Sequence, residues 1–400
     1  MIYDATTRIA EAVLRLRARM GGSAALRERL VDEAPPSPAA IWIHGASVGE
    51  LTSARLVIEE LAARHAVQVT ANSETGRDLA RGWGLAARLA PLDLAGALER
   101  FLTATRPRLC VTIEGEFWPL RSRVLAERGV AQAMIGARMS ERSAGTWGRL
   151  PRVIGPMLRR IEALSAQDQG SEARLLCLGL PAAALLPRLD LKLLAPAAIT
   201  PPAPDEARDR TVLAASTHEG EDGPVLDAFA RIRQERPDLR LILAPRHPRR
   251  ADDIAALATG RGLPLARRSQ GAQDMPKGGV LLVDTLGEMA RWYARAGICL
   301  IGGSLRDHGG HTPWEPAAHG CALLHGPHVG NFLEAFDALE AAGAARAVTA
   351  ASLAEDLGRL CARPQETRAM GERARTVLTS RAGDPAALVD HLDNLAKPCA

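Results

Sequence analysis

The chain has 400 residues, 47% apolar and 24% charged, more than one hydrophobic core normally serves, so two domains with a cleft between them are expected. A formal net charge of only +4, with no basic stripe studded with aromatic residues, argues against nucleic acid as a partner. No uncharged apolar run approaches the ~20 residues that span a bilayer and no signal-peptide pattern opens the chain, so a cytoplasmic protein is expected.

Residues 7–20 place Ile9, Val13 and Leu16 at helical spacing among Arg8, Arg15, Arg17 and Arg19. Such a helix can rest on an anionic membrane surface or pack on its own domain. Short β-rich apolar runs then alternate with amphipathic stretches, the pattern of parallel sheets with crossover helices. Strands are expected at 40–44, 67–70, 109–113, 131–136 and 161–165, and again at 211–215, 239–244, 280–284, 298–302 and 322–324. The proline-rich stretch 198–204 between these sets reads as a linker. Two Rossmann-like α/β domains are expected, 1–195 and 196–400, with the helices after Ala351 packing back toward the first. Cys110, Cys177, Cys299, Cys321, Cys361 and Cys399 form no CxxC pair and read as reduced thiols, mostly in apolar surroundings.

The pattern [ST]-x-x-E recurs after expected strands as Ser47/Glu50, Ser216/Glu219, Thr285/Glu288 and Thr312/Glu315. Each is a candidate capping box, with Pro313 at a first helical position strengthening the last. In parallel α/β sheets such helix starts lie where ligands bind, and their free N–H groups suit phosphate. Gly302, Gly303, Ser304, Gly309, Gly310 and His311 frame a loop that allows close backbone approach. Arg246, between Pro245 and His247, can pair with phosphate. His308, His311, His319, His325 and His328 crowd one region without zinc spacing, so ligand or loop contacts are expected and no metal. Lys192, Lys277 and Lys397 are the only lysines, so a lysine at a motif position stands out.

These motifs, in this order, resemble one family over most of the chain. They are WIHGASVGE (42–50), EGEFWP (114–119), ARMSERS (137–143), STHEGE (216–221), PRHP (245–248), DTLGE (284–288), GGS (302–304), GGHTPWE (309–315) and GPH (326–328). The chain is similar to the bacterial 3-deoxy-D-manno-oct-2-ulosonic acid (Kdo) transferases of lipopolysaccharide biosynthesis, which use CMP-Kdo to glycosylate a lipid A precursor. The resemblance implies a GT-B fold, an inverting reaction, no metal or other cofactor, and a seat in or on the inner membrane. It assigns Glu50 as general base and Glu114 and Lys192 as supports of the transition state. For CMP it implies Ser216, Glu219, Pro245, Arg246, Leu286, Gly287, Glu288, Gly303, Ser304, His311, Thr312, Pro313, Trp314 and Glu315. Ser47, Gly49, Glu116, Arg138, Ser140 and Arg142 fall on the acceptor side.

The sequence also departs from the family pattern. Gly115 replaces a usual threonine, Gly136 and Thr312 replace asparagines, Trp314 replaces a leucine, and no membrane-length anchor accompanies the Arg27-Glu28-Arg29-Leu30 stretch. Two further readings therefore stand beside a Kdo transferase: a GT-B paralogue with another donor or acceptor, and a catalytically silent nucleotide-sugar-binding protein.

Overall fold

A computed structural model describes residues 2–32 and 35–398. The chain divides into two compact units, residues 1–195 with 382–400, and residues 196–381. The first holds strands β1 (Ile41–His44), β2 (Val67–Ala71), β3 (Ala86–Leu89), β4 (Leu109–Ile113), β5 (Ala131–Ala137) and β6 (Ala163–Ala166) in the order β3-β2-β1-β4-β5-β6. The second holds β7 (Thr211–Thr217), β8 (Arg240–Pro245), β9 (Leu265–Arg267), β10 (Val280–Leu282), β11 (Ile298–Ile301), β12 (Ala322–His325) and β13 (Ala345–Ala347) in the order β13-β12-β11-β7-β8-β10-β9. Every pairing is parallel.

The inner strands β1, β2, β4 and β11 are buried at every position, as apolar runs covered by helices on both faces must be. Three strands escaped the sequence reading: β3, β9 and β13. All three are short sheet edges. With one neighbour each they need no continuous apolar run, and Arg88, Arg267 and Arg346 lie within them.

The second unit ends at Arg381, and the helix Pro385–Ala396 belongs to the first. There Asp390 pairs with Arg64 at 2.8 Å and Asp393 with His65 at 2.6 Å. The helix Ile2–Arg19 is fastened by one buried carboxylate: Glu11 accepts the Gly96 N–H at 2.7 Å and pairs with Arg100 at 3.0 Å. Glu11 thereby serves the start of helix Ala95–Thr105, whose N-cap Leu94 has no polar side chain to do so. Leu14 and Ala18 pack inward with Leu30, Leu94 and Ala97. Ile9, Val13, Leu16 and Met20 are left 60–80% exposed.

Cys110, Cys299, Cys321 and Cys361 are buried free thiols, Cys177 is an exposed one, and Cys399 lies outside the described residues. Burial pushes the Cys110, Cys321 and Cys361 thiols up to about 11.

Where β7 and β11 run side by side, the Gly302 N–H meets the Ala215 carbonyl at 2.8 Å, and a Cβ on Gly302 would stand 2.3 Å from the Ser216 carbonyl oxygen. Backbone cannot yield there without prising the central strands apart. Gly302→Ala is expected to cost roughly 2–4 kcal/mol in chemical denaturation, as overpacking against fixed atoms does.

Candidate active site

In the first unit the strand order reverses between β1 and β4, so the chains leaving them part and open a crevice at their carboxyl ends. Loop amides there have no strand partner. Ser47 caps the helix Val48–Ser53 by accepting the Glu50 N–H at 3.2 Å, and the Glu50 carboxylate accepts the Ala46 N–H at 2.7 Å. Burial raises the Glu50 pKa; the neighbouring charges of Glu114 and Glu116 act in the same direction, opposed by the Ala46 N–H. The result is a half-buried carboxylate with enhanced proton affinity.

Across the crevice, Glu114 follows β4 with φ +58°, in the left-handed region that non-glycine residues seldom occupy. Such strain persists only where surroundings hold it. Here the Glu114 N–H is fixed on the Ile135 carbonyl at 3.0 Å, and its carboxylate lies 3.5 Å from Lys192 Nζ. Leu191 is packed onto Gly136, where a Cβ would meet Leu191 Cδ1 at 2.5 Å, and this docks the segment carrying Lys192. The replacement of asparagine by Gly136 is thus matched by Leu191.

Glu116, expected on the acceptor side, is engaged within the fold. Its carboxylate accepts Trp118 Nε1–H at 2.7 Å and Asn72 Nδ2–H at 3.2 Å, with His44 Nε2 at 3.6 Å. His44, followed by Trp118 and Asn72, holds the Glu116 pKa down at about 2. Burial, aided by the Arg121 charge, brings His44 down to about 4, so it is neutral near pH 7. Sequence reasoning passed over His44 and Asn72; a polar residue ending a buried parallel strand, as His44 does, was the available signal.

Ser140 caps the helix Glu141–Gly148 through the Ser143 N–H at 3.2 Å, while Arg138 and Arg142 are exposed, and Gly49 lies open beside Ser47. The Arg138 carbonyl oxygen is 3.1 Å from where a Cβ on Gly115 would be, so the β5 exit touches the Glu114–Glu116 loop.

In the second unit the strand order reverses between β7 and β11. Glu221 joins the loops that follow them: its carboxylate accepts the N–H groups of His218 at 2.8 Å, Gly303 at 2.7 Å and Leu305 at 2.8 Å. Gly303 (φ +68°) and the Gly309–Gly310 pair (φ +82° and +74°) supply the turns. Above them His218 and His311 share a hydrogen bond of 2.9 Å between their Nε2 atoms, and His308 stacks on His218 at 4.2 Å. Burial, assisted by neighbouring imidazoles, lowers the His218 pKa; burial, then the Arg246 charge, lowers that of His311. His319 and His325 lie elsewhere, against Tyr293 and against Phe336 and Glu340, whereas His328 borders the same loop, its backbone N–H on the Ser304 carbonyl at 3.0 Å and its ring beside Asp307. Among the described residues no group of three His, Cys, Asp or Glu is arranged to hold a metal ion.

Three of the four expected capping boxes take another form. Ser216 lies inside β7 with φ +56°, at a register shift between Ala215 and Thr217, so it caps nothing and Glu219 is exposed. The next helix starts only at Asp222, and Glu221, two residues beyond Glu219, is the buried carboxylate. The Thr285 hydroxyl donates to Glu288, whose carboxylate is also paired with Arg268 at 2.7 Å; the helix Met289–Arg295 starts beyond both. Arg268 and then Thr285 hold the Glu288 pKa below the usual carboxylate range. Thr312 Oγ1 accepts the Trp314 N–H at 3.3 Å, but the N-cap is Pro313, and Glu315 is left exposed. Ser304 is fully buried, its hydroxyl donating to the Ile301 carbonyl and accepting the Gly326 N–H, so it braces the loop from below. Trp314 is buried, whereas Leu286, Gly287 and Arg246 remain exposed and Pro245 ends β8.

Two Rossmann-like units, one with clustered carboxylates and one with glycine-rich, amide-rich loops at the strand switch point, define the GT-B class. Comparisons narrow this. A family model described as 3-deoxy-D-manno-octulosonic-acid transferase (Kdo transferase) matches residues 15–195. The chain is 34% identical to a 3-deoxy-D-manno-octulosonic acid transferase of Bordetella pertussis over 90% of this chain and 88% of that one. It is 32% identical to the Haemophilus influenzae protein of the same description over 75% and 74%. A UDP-GlcNAc 2-epimerase from Neisseria meningitidis, solved with UDP-GlcNAc, shares the fold with a TM-score of 0.55 at 13% identity, covering 88% of this chain and 99% of that one. The chain belongs to the 3-deoxy-D-manno-octulosonic acid transferase family and is a glycosyltransferase.

Glu221→Gln replaces one buried acceptor oxygen with an N–H donor facing backbone N–H groups. A loss of about 2–4 kcal/mol in urea unfolding is expected, the scale of a buried, mispaired polar group.

Proposed function

We propose that this enzyme transfers Kdo from CMP-Kdo to a lipid A precursor with inversion at the anomeric carbon, Glu50 serving as general base. The observation that carries the assignment is the Glu50 carboxylate itself, half-buried at the β1/β4 switch point with its pKa raised by burial. A base with raised proton affinity takes a hydroxyl proton more readily than an ordinary carboxylate. In the step, Glu50 removes the acceptor hydroxyl proton as the new C–O bond forms; the bond from the anomeric carbon to the phosphate oxygen breaks, and CMP leaves with the electron pair.

Lys192 and Glu114 support the developing charge at the sugar, and their 3.5 Å pairing keeps the ammonium in place. On the donor side, Arg246, His311 and the Gly303 loop receive the phosphate; Pro245, Leu286, Gly287, Thr312, Pro313 and Glu315 complete the nucleotide contacts, and no metal is required. Ser216, Ser304, Glu288 and Trp314 contribute by shaping these loops. Glu116 and Ser140 position the acceptor side, and Ser47, Gly49, Arg138 and Arg142 face the acceptor.

No helix of the described residues is long and apolar enough to cross a membrane. The exposed row Ile9, Val13, Leu16 and Met20, beside the exposed Arg17 and Arg19, supports peripheral contact with the cytoplasmic face of an anionic membrane.

Glu50→Gln is expected to lower transfer by about 10²–10⁴-fold, the usual contribution of a general base, with CMP affinity unchanged by calorimetry. Because Glu50 acts deprotonated and its pKa is raised, kcat/KM is expected to fall with unit slope as pH drops through a value above the free glutamate value of about 4.3. Near-normal turnover of the Gln variant, read by mass spectrometry of the lipid product, would remove Glu50 from this role.

A further inference from the structure

The positive charge of the chain is unevenly placed. Between residues 138 and 160 lie Arg138, Arg142, Arg149, Arg152, Arg159 and Arg160 against a single acidic residue, Glu141, a local excess of +5 in a chain whose total is +4. The remaining residues therefore sum to −1. Elsewhere many arginines are paired with carboxylates, as in Arg77–Glu28, Arg210–Asp238 and Arg261–Asp227. Arg138, Arg142, Arg149 and Arg152 are all exposed, and their guanidinium groups take part in none of the ion pairs or hydrogen bonds among the described residues.

The tract is also fixed in place. The helix Glu141–Gly148 has no fully buried residue, yet Trp147 is set edge-on against Phe117 with ring centroids 5.9 Å apart. Phe117 adjoins Glu116, and the Arg138 backbone touches Gly115, so the arginine surface borders the loop that carries Glu114. Arg142 and Arg149 are seven residues apart, two helical turns, and so lie along one side about 10 Å apart at ~1.5 Å per residue. Between Arg149 and Arg152, Leu150 is 48% exposed. Arg149, the C-cap of one helix, and Arg152, in the first turn of the helix Pro151–Leu158, flank this leucine, and unpaired guanidinium groups beside an exposed apolar side chain suit a ligand that carries both phosphate and alkyl chain.

We propose that Arg149 and Arg152 form a binding site for a phosphomonoester group of the acceptor glycolipid, with Leu150 against its apolar portion. This rests on the acceptor reading above and extends it, because it makes phosphate on the acceptor a recognition element. Unpaired arginines are the means: their attraction for phosphate is not already satisfied by an internal carboxylate.

The test measures binding apart from transfer. Full-length protein in neutral detergent micelles is titrated with a phosphorylated tetraacyl disaccharide and with the same lipid after dephosphorylation, alongside Arg149→Gln/Arg152→Gln. The wild type is expected to bind the phosphorylated lipid about tenfold or more tightly, the scale of two exposed charge-assisted contacts. The double variant should lose that preference while keeping its CMP affinity and unfolding midpoint. Arg17→Gln/Arg19→Gln, which removes the same charge from the first helix, should retain it. Inorganic phosphate at millimolar concentration should compete only weakly if the glycolipid is the ligand; equal competition would identify a free-phosphate site and overturn the acceptor assignment. An unchanged preference in the double variant would likewise overturn the proposal. If preference is lost as expected but the wild type transfers no Kdo, the reaction assignment fails and the phosphate site stands.

Discussion

Where two strands of a parallel sheet diverge, the amides of the loops that follow them lose their strand partners and must find other acceptors. This constraint organises both units. At the β1/β4 divergence Glu50 takes the Ala46 N–H, and at the β7/β11 divergence Glu221 takes three N–H groups from two loops. A buried backbone N–H left unpaired costs about 1–3 kcal/mol, so a carboxylate that satisfies several both anchors its loops and sets their shape. Glu221 is wholly consumed by this task. Glu50 is only partly so: one oxygen is held at 2.7 Å, whereas the other has a 3.4 Å contact with the Ser47 hydroxyl. That difference in occupancy separates a structural carboxylate from one with a lone pair left for chemistry.

The same reasoning distinguishes Glu50 from Glu116, which belong to the same crevice. Their environments drive their proton affinities apart. Burial without a cation in contact raises Glu50, whereas His44, the Trp118 indole and the Asn72 amide bring Glu116 down to about 2. Two carboxylates split in this way commonly take different roles, the high-affinity one exchanging protons and the low-affinity one staying charged. The permanent charge of Glu116 in turn helps keep Glu50 basic. Its three polar neighbours therefore act on the proposed base through electrostatics, without touching it.

Most inner strands were legible in the sequence because a parallel strand covered on both faces must be apolar throughout. The edge strands β3, β9 and β13 were not, since that requirement lapses with one neighbour. The [ST]-x-x-E pattern was legible as a marker of strand ends but gave the hydroxyl cap only at Ser47/Glu50, where the carboxylate reaches back one residue further, to the Ala46 N–H. At Ser216 the left-handed backbone and the register shift of β7 delay the helix, which transfers the buried role from Glu219 to Glu221. Local spacing cannot report such a shift, because Ser216 packs against Gly302, the first residue past the neighbouring strand β11 and far from it in sequence. Likewise Glu288 is turned away from capping by Arg268, twenty residues distant and on another element. The glycine at 136, a departure from the family pattern, is accounted for by Leu191, which fills the space a side chain there would need.

Whole-chain charge was equally poor as a guide, and for a physical reason. Screening confines an exposed charge to about 8–10 Å at ordinary ionic strength, so a ligand responds to the charges beside it and not to the molecular sum. An overall value of +4 conceals a tract of +5 bordering the Glu114–Glu116 loop and a remainder that is slightly acidic. Within that remainder many guanidinium groups are paired with fixed carboxylates, whereas the exposed arginines of the tract are not, so an anionic acceptor would meet unneutralised charge there. The tract spans the helix Glu141–Gly148, which has no buried residue and sets Trp147 against Phe117, and the helix Pro151–Leu158, which is anchored by buried Ile154, Met157 and Leu158; packing thus ties it to the rim of the crevice and leaves Arg138, Arg142, Arg149 and Arg152 exposed. On the proposed reading, recognition and chemistry can be tuned separately: arginines of the tract would govern which acceptor is held, while the carboxylates at the β1/β4 divergence would govern how readily its hydroxyl gives up a proton.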